Sequence, residues 1–127
     1  MKKIDIPALK EFLLRTFPEI KIAYLFGSAK DGVVKDGSDL DIAFLLNKGT
    51  SLMIQFDIIN ELEALLKISV DVVILNKANS ILAFEILKTG TRIIDKNTED
   101  RTMFELKLFR NYLDSTYFLH RRFACGK

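Results

Sequence analysis

The spacing of hydrophobic residues changes several times along this chain, and these changes predict where its helices and strands lie. Apolar residues recur at helical spacing over residues 5–17, with Pro7 suited to a first helical turn, which predicts a helix there. The run Ile20–Phe26 is rich in β-branched and aromatic residues and stops at Gly27. It predicts a strand that enters a turn, with Ser28 at the amino terminus of that turn or of a helix.

A second strand is predicted over residues 38–46, after a loop or loose hairpin over residues 30–37 that contains two Asp-Gly pairs. Side chains alternate between the two faces of a strand. One face would carry Leu40, Ile42, Phe44 and Leu46, and the other Asp39, Asp41, Ala43 and Leu45. Only the beginning of the second face is therefore polar.

The later pattern predicts further helices and strands in alternation. Thr50 or Ser51 would cap a helix, and the nearly apolar run 70–75, interrupted by Asp71, predicts a strand covered on both faces. A helix over 80–88, a strand over 91–94 and a long helix over 98–123 follow. The predicted fold class is α/β (α+β), a small mixed sheet flanked by helices, as one domain over residues 1–127. The apolar stripe of the capped helix would be Leu52, Phe56, Ile59, Leu62 and Leu66.

Composition narrows the class of protein. The chain has 127 residues, of which 49% are hydrophobic, enough for the core of one domain. Its 19 basic and 17 acidic residues give a net charge of +2, which is too small a positive charge to indicate nucleic-acid binding. A single cysteine, Cys125, and the lack of any bilayer-length apolar run predict a cytoplasmic protein that does not enter a membrane.

The candidate chemistry lies in Gly27-Ser28 and, ten residues later, Asp39-Leu40-Asp41. A glycine lets the backbone approach a polyphosphate, and a serine adds a hydroxyl and an amide donor. Two aspartates on one face of a strand can converge on divalent cations of the magnesium type. Each pattern alone is common in ordinary turns and strand ends, so their joint occurrence carries the hypothesis.

Asp71 supplies a third carboxylate if its strand lies beside the one that holds Asp39 and Asp41. Like charges held close together resist ionisation, so a metal-bound state is the natural way to hold three of them. The sequence thus predicts nucleotide chemistry at these positions.

The ordered set of Gly27-Ser28, Asp39-x-Asp41 and Asp71 resembles the DNA polymerase β-like nucleotidyltransferase superfamily. Within it, the short chain and its long last helix resemble the minimal nucleotidyltransferases, the MNT or MntA-like antitoxins encoded beside HEPN toxins. The motif-bearing part covers about residues 20–75, and the likeness continues more loosely through the last helix. Many relatives have an arginine soon after Gly-Ser, where this chain has Ala29-Lys30. Lysine can replace the charge but not the bidentate geometry of arginine.

The resemblance implies a role for each site residue. Gly27 and Ser28 would hold the phosphates of ATP, the nucleotide donor, together with Lys30 and Ser38. Two magnesium ions would be bound by the aspartates, which are also the implied catalytic residues, and Asp71 would help to deprotonate the acceptor hydroxyl. These aspartates are Asp39, Asp41 and Asp71.

The resemblance also implies an acceptor: a tyrosine of a HEPN ribonuclease toxin that the chain would silence by adenylylation. The chain has no residues to spare for a separate acceptor-binding domain, which favours an acceptor presented by another protein. Two alternatives stay open at this point. One is transfer to a small hydroxyl compound such as an aminoglycoside, and the other is a non-catalytic antitoxin that occludes its toxin.

Aromatic residues crowd the last predicted helix on more of its circumference than one buried stripe needs. Most would belong to the core, and some would cover a partner, either the toxin or a second copy in a homo-oligomer. His120 is not needed for the predicted chemistry, and Arg121 and Arg122 suit a solvated helix end. The aromatic residues are Phe104, Phe109, Tyr112, Tyr117, Phe118 and Phe123.

Overall fold

The computed structural model describes residues 1–125, with side chains through residue 114. A 3₁₀ turn, Gly27–Ala29, directly follows the second strand. No helix of the described part is long and apolar enough to cross a membrane. The elements, in chain order, are β1 (Lys2–Lys3), α1 (Ile6–Thr16), β2 (Ile20–Phe26), β3 (Val33–Val34), β4 (Leu40–Leu46), α2 (Ile54–Leu66), β5 (Val70–Ile74), α3 (Ser80–Thr89), β6 (Thr91–Asp95) and α4 (Thr98–Cys125).

The main sheet has four strands in the order β5-β4-β2-β6. Strand β2 runs antiparallel to β4 and to β6, whereas β4 and β5 are parallel and are joined by helix α2. A parallel pair needs such a crossover, because a tight turn can join only antiparallel strands. The predicted mixed sheet flanked by helices is confirmed.

The two faces of the sheet are covered by different helices. On one face, alternate residues of β4 pack with Leu13 of α1 and Ile58 of α2 in the larger apolar cluster. On the other face, Ala43 and Leu45 pack with Ile86 of α3 and Leu108 of α4. The predicted division of β4 into two faces is therefore confirmed, with Leu40, Ile42, Phe44 and Leu46 all fully or almost fully buried.

Side-chain caps fix the start of two helices. Asp5 accepts a hydrogen bond from the amide of Ala8 at 3.1 Å at the start of α1, and Asn79 accepts one from Leu82 at 2.8 Å at the start of α3. Each cap satisfies an amide that has no partner within the first helical turn. The predicted first helix and the helix after residue 80 begin within one residue of these caps.

The predicted start of α2 was wrong, and its predicted buried stripe was right only in part: Leu62 is buried, and Ile59 and Leu66 pack half-buried against the core. The helix begins at Ile54 without a side-chain cap, because residues 51–53 form a turn whose carbonyls accept the first amides of the helix. Ile54, Ile58 and Leu62 are buried, whereas Phe56 is 58% exposed and Leu52 is also exposed. Two apolar stripes run side by side on this helix and share Leu62, so spacing alone could not choose between them.

The segment predicted as a loop or loose hairpin contains a short strand instead. Strand β3 pairs antiparallel with β1, with Lys2 opposite Val34 and Lys3 opposite Val33. Ile4 also donates its amide to the carbonyl of Gly32 at 2.7 Å. The amino-terminal residues are thereby fixed beside the loop that leads into β4, a pairing between segments too short to give a sequence signal.

Strand β5 lies at the edge of the main sheet, and only one of its two faces is fully covered, which corrects the expectation that both faces are covered. Val70, Val72 and Ile74 are buried on one face. The other face carries an exposed Asp71 and a half-buried Val73. Residues 70–75 are nearly as apolar as a central strand, but β5 is the last strand on its side of the sheet.

Helix α4 packs on α3 and is joined to β6 by an ion pair between Arg101 and Asp95. Arg101 donates to Asp95 at 2.7 Å and to Glu105 at 2.9 Å. Tyr112 stacks on Phe84 of α3, with ring centroids 4.1 Å apart. The predicted mixture of core and surface aromatics holds as far as the side chains are described: Phe104 and Tyr112 are half-buried and Phe109 is exposed, while Tyr117, Phe118, His120, Arg121, Arg122, Phe123 and Cys125 lie outside the described side chains.

Candidate active site

The predicted phosphate-binding turn lies where β2 leaves the sheet. Gly27 has a φ of +70°, a left-handed conformation that side chains other than glycine rarely adopt. A Cβ at this position would also overlap the carboxylate of Asp41, lying 3.2 Å from its Cγ. Backbone conformation and close approach both require glycine here, so the turn and the carboxylate are held in contact.

The residues after Gly27 turn back at once. Ser28 is exposed and Ala29 is fully buried beneath it, which anchors the turn in the larger apolar cluster. Lys30 is exposed and donates its amide to the carbonyl of Gly27 at 3.4 Å. The hydroxyl of Ser28 and the ammonium of Lys30 are thus both presented to solvent beside the candidate site.

The first two carboxylates come from the beginning of β4. Asp41 is half-buried, and its backbone lies opposite Phe26, the last residue of β2 before the turn. Asp39 precedes the first residue of β4 and is exposed. Because β2 and β4 are antiparallel, the end of one and the start of the other meet at the same end of the sheet.

The third carboxylate comes from the neighbouring strand. Asp71 of β5 is the direct register partner of Asp41, since β4 and β5 run parallel with these two residues opposite each other. Asp41 and Asp71 share the face on which Ala43 and Val73 pack beneath α3 and α4. The sequence prediction depended on the strands of Asp41 and Asp71 being neighbours, and β4 and β5 are adjacent in the sheet.

The electrostatics of the site depend on Asp41. Partial burial raises the pKa of Asp41 above its usual value, and the carboxylates of Asp71 and Asp39 raise it further. The carboxylates of Asp39 and Asp71 therefore both lie within electrostatic reach of Asp41, and their negative charges disfavour its ionised form. A divalent cation would relieve that repulsion, so the donor set fits a hard metal ion with oxygen ligands.

Among the residues that the structure describes, no three His, Cys, Asp or Glu side chains form a ready-made metal site. Asp39 and Asp71 are both exposed on either side of Asp41. Magnesium is usually held by one or two carboxylates together with substrate phosphates, because it gives up its water ligands reluctantly. An open set of carboxylates beside a phosphate-binding turn suits that mode of binding.

Ser38, the last of the predicted nucleotide-binding residues, lies on another side of the site. It donates its amide to the carbonyl of Lys35 at 3.0 Å, and it lines a cleft with Asp39 and Ser69. Ser69 accepts the amide of Leu40 through its own carbonyl at 2.9 Å, which joins the starts of β4 and β5. The structure therefore groups Ser38 with Asp39 and the β5 side of the sheet.

Sequence reasoning missed the residues that shape this cleft. Lys2 lies in it because β1 pairs with β3, and its ammonium donates to the carbonyl of Leu66 at the end of α2. Ile68 and Ser69 enter it through the turn between α2 and β5. None of these residues belongs to a motif, and a two-residue strand leaves no periodic pattern, so no local signal could have identified them.

Comparison with known proteins gives the same family as the motif. Residues 8–99 match the model of the family described as polymerase beta, nucleotidyltransferase. The protein adenylyltransferase MntA of Shewanella oneidensis is 25% identical over 112 residues, which cover 88% of this chain and 80% of that protein.

Two solved structures share the fold. One is a toxin–antitoxin with AMP-PNP, at 24% identity and a TM-score of 0.77, with 96% of this chain and 95% of the other covered. The other is a tri-AMPylated Shewanella oneidensis HEPN toxin in complex with its MNT antitoxin, at 22% identity and a TM-score of 0.70, covering 94% and 91%. These likenesses show a shared fold. With more than half of its residues in the family match, this chain belongs to the polymerase β nucleotidyltransferase family.

Proposed function

We propose that this chain transfers AMP from ATP to a tyrosine hydroxyl of a HEPN ribonuclease toxin and so acts as its antitoxin. The observation that carries the chemistry is the junction of Gly27 with Asp41, and of Asp41 with Asp71, at one end of the sheet. The proposed phosphate-binding turn lies there against Asp41, and the carboxylates of Asp39 and Asp71 are within electrostatic reach of Asp41. The donor and the partner are proposed from the relatives, one named as a protein adenylyltransferase and others solved as toxin–antitoxin complexes.

The donor nucleotide would lie against the turn after β2. Gly27 gives its phosphates access to the backbone, and Ser28 offers a hydroxyl beside them. Lys30 adds a positive charge on the same exposed turn, in place of the arginine of many relatives. Ser38 would contribute from the β5 side of the carboxylates, where it lines the cleft with Asp39.

Asp39, Asp41 and Asp71 would hold two magnesium ions. Bound there, the ions would neutralise charge on the phosphates and favour ionisation of the acceptor hydroxyl. Asp71 stands on the far side of Asp41 from the phosphate-binding turn, so it is placed to receive the proton of that hydroxyl. The α-phosphorus then bonds to the acceptor oxygen, and pyrophosphate leaves toward Gly27 and Ser28. We also propose that the reaction takes place in the cytoplasm, the location expected from the sequence.

The test is a labelling experiment with the purified chain. It is incubated with α-labelled ATP and magnesium, with and without a purified HEPN toxin taken from a gene next to its own, as the proposal requires, and label is followed into protein. We expect label on a toxin tyrosine, loss of that label with EDTA, and recovery when magnesium is restored. Asp41→Asn should abolish it, whereas Asp57→Asn, which removes an exposed carboxylate on α2, should not.

Three other outcomes would contradict the proposal in different ways. Label that enters only a small hydroxyl compound would indicate the aminoglycoside type of enzyme. A tight complex that forms without magnesium and without any label would indicate an antitoxin that works by occlusion. Label that persists in EDTA would overturn the proposed metal dependence while leaving the transfer intact.

A further inference from the structure

Helix α4 has a second apolar side that the domain itself does not cover. Its inner side packs on α3 and on the sheet through Leu108, which is buried. A helix at the surface of a globular protein normally has one apolar side, which faces the core. The outer side of α4 nevertheless carries four large apolar side chains that are each between 48% and 68% exposed: Met103, Leu106, Phe109 and Leu113. Such a concentration of exposed apolar side chains is typical of a contact surface.

Three of these side chains form a row along the helix. Met103, Leu106 and Leu113 are three and seven residues apart, and this spacing keeps side chains on one face of a helix. We call them the outer row of α4. Phe109 stands at the edge of the row that faces α3, where its ring lies 5.9 Å from the ring of Phe84. This edge of the row is therefore fixed by contacts within the chain.

The other edge of the outer row is charged, with opposite signs at its two ends. Lys107 directly follows Leu106, and Asp114 directly follows Leu113. Both are exposed, and no ion pair among the described side chains involves either of them. They lie two helical turns apart, about 10 Å along the axis, so they cannot pair within one helix.

This pattern is complementary to itself when two copies of α4 run antiparallel. A two-fold axis near residues 109 and 110 places Leu106 of each copy against Leu113 of the other. In an antiparallel pair each edge of the row meets the same edge of the second copy. Lys107 of each copy therefore meets Asp114 of the other, and two ion pairs form. In a parallel pair the charged edge would face Phe109, which offers no ion-pair partner.

Arg110 is the one unfavourable element of this pair. It is exposed on the charged edge at the level of the two-fold axis, so the two copies bring their Arg110 guanidinium groups near each other. Asp114 of the same helix lies one turn away, and Asp114 of the second copy approaches from the opposite direction. These carboxylates limit the repulsion without removing it, which makes the expected dimer a weak one.

Pairing through the outer row would not involve the candidate active site. Leu108, on the inner side of α4, packs with Ala43 and Leu45, which lie further along β4 than Asp41. A second copy would lie on the side of α4 away from the sheet. No member of the outer row is among the predicted site residues, so pairing and AMP transfer can be measured independently.

We infer that α4 is a homodimer surface and pairs antiparallel with α4 of a second copy of this chain. Leu106 and Leu113 form the apolar contact, and Lys107 and Asp114 form the ion pairs beside it. The inference goes beyond the proposed function and does not depend on it. A HEPN toxin is the other candidate for this surface, but an interface between two different proteins does not need a self-complementary row. Because the row is short, we expect a dissociation constant of about 10–100 μM.

The first experiment measures association of the purified chain without ATP or toxin. Sedimentation equilibrium between about 1 and 300 μM should show monomer and dimer in exchange. Leu113→Gln should raise the dissociation constant at least about 10-fold, because each dimer loses the apolar contact twice. The melting temperature of this variant should stay close to that of the parent, since Leu113 is exposed.

Charge reversal then tests the antiparallel arrangement. Lys107→Asp and Asp114→Lys should each raise the dissociation constant about 10-fold, because each turns both ion pairs into contacts between like charges. The double variant, with both changes in one chain, should return to within about threefold of the parent. Lys10→Asp is the matched control, since it makes the same change at an exposed position of α1 and should leave association unchanged.

The alternative results each overturn the inference. A chain that stays monomeric up to about 300 μM does so whether or not it labels a toxin. A dimer that Leu113→Gln leaves intact, or that the double charge variant does not restore, uses another surface or another orientation. A monomeric chain whose complex with a HEPN toxin is weakened by Leu113→Gln would assign the outer row to the toxin.

Discussion

The two faces of strand β4 use the same backbone for opposite purposes. On the face covered by α1 and α2, every second residue from Leu40 to Leu46 is buried in the larger apolar cluster. The other face is buried at Ala43 and Leu45 beneath α3 and α4, but it becomes polar at Asp41 and Asp39. We call the first the closed face, because it is buried along its whole length and stabilises the fold there. We call the second the open face, because it is not covered at Asp41 and Asp39, where the candidate catalytic carboxylates lie.

This difference explains why the carboxylates can lie close together. Repulsion among them disfavours the folded protein, and the fully apolar face opposite offsets it through burial. The neighbouring Gly27 adds a left-handed backbone in contact with Asp41. Charge repulsion and a backbone conformation that favours glycine are thus concentrated at one end of the sheet.

The largest effect is expected from removing the charge at the centre of the open face. Asp41→Asn should reduce transfer to the toxin by at least about 100-fold, because metal and phosphates lose a central ligand. The melting temperature should hold or rise, since burial and two neighbouring carboxylates disfavour the charged form of Asp41 in the folded protein. Label transfer and thermal unfolding of the same preparation check both parts. If Asp41→Asn lost activity only because it unfolded, Asp41 would have a stabilising role and the contrast between the two faces of β4 would be wrong.

The closed face should respond in the opposite way. Phe44 is fully buried, and Phe44→Ala should lower the free energy of unfolding by about 3–5 kcal/mol through lost contacts and a cavity. Transfer activity per folded molecule should be nearly unchanged at low temperature. Urea unfolding, together with activity normalised to the folded fraction, measures the two quantities. A specific loss of activity in the folded fraction would show that the two faces are not separate.

A smaller effect is expected at Gly27, whose backbone lies against the Asp41 carboxylate. Gly27→Ala should cost about 1–2 kcal/mol from the left-handed backbone and should also weaken ATP binding, because its Cβ would displace the Asp41 carboxylate. Gly49→Ala is the matched control, since Gly49 has a φ of +86° but open space around its Cβ. The control should lose similar stability and bind ATP normally. Equal ATP affinities for the two variants would argue against contact between the turn and Asp41.

The smallest effect is expected on the outer side of the helix that covers the closed face. Phe56 is 58% exposed on α2, so Phe56→Ser should change the free energy of unfolding by no more than about 0.5 kcal/mol. Ile58→Ser, two residues away on the buried stripe, should be strongly destabilising. Urea unfolding of the pair checks the observed stripe against the one predicted from spacing.

Much of the fold followed from local patterns. Helix α1, strands β2 and β6, helix α3 and the start of α4 lie within a residue or two of their predicted positions, because each has a clear period and clear stop signals. The stripe on α2 followed only in part, since adjacent apolar rows fit the same period. The pairing of β1 with β3 also escaped prediction, because two residues carry no period at all.

The sequence by itself determined which residues can do the chemistry. A glycine and serine after one strand, two aspartates on one face of the next and a lone carboxylate in an apolar run are chemical identities that no folding can change. Whether those groups meet depends on strand order and register, which arise from burial of side chains distant in sequence. The tertiary structure alone set Asp71 opposite Asp41, made β5 an edge strand, and brought Lys2 and Ser69 together beside Asp39.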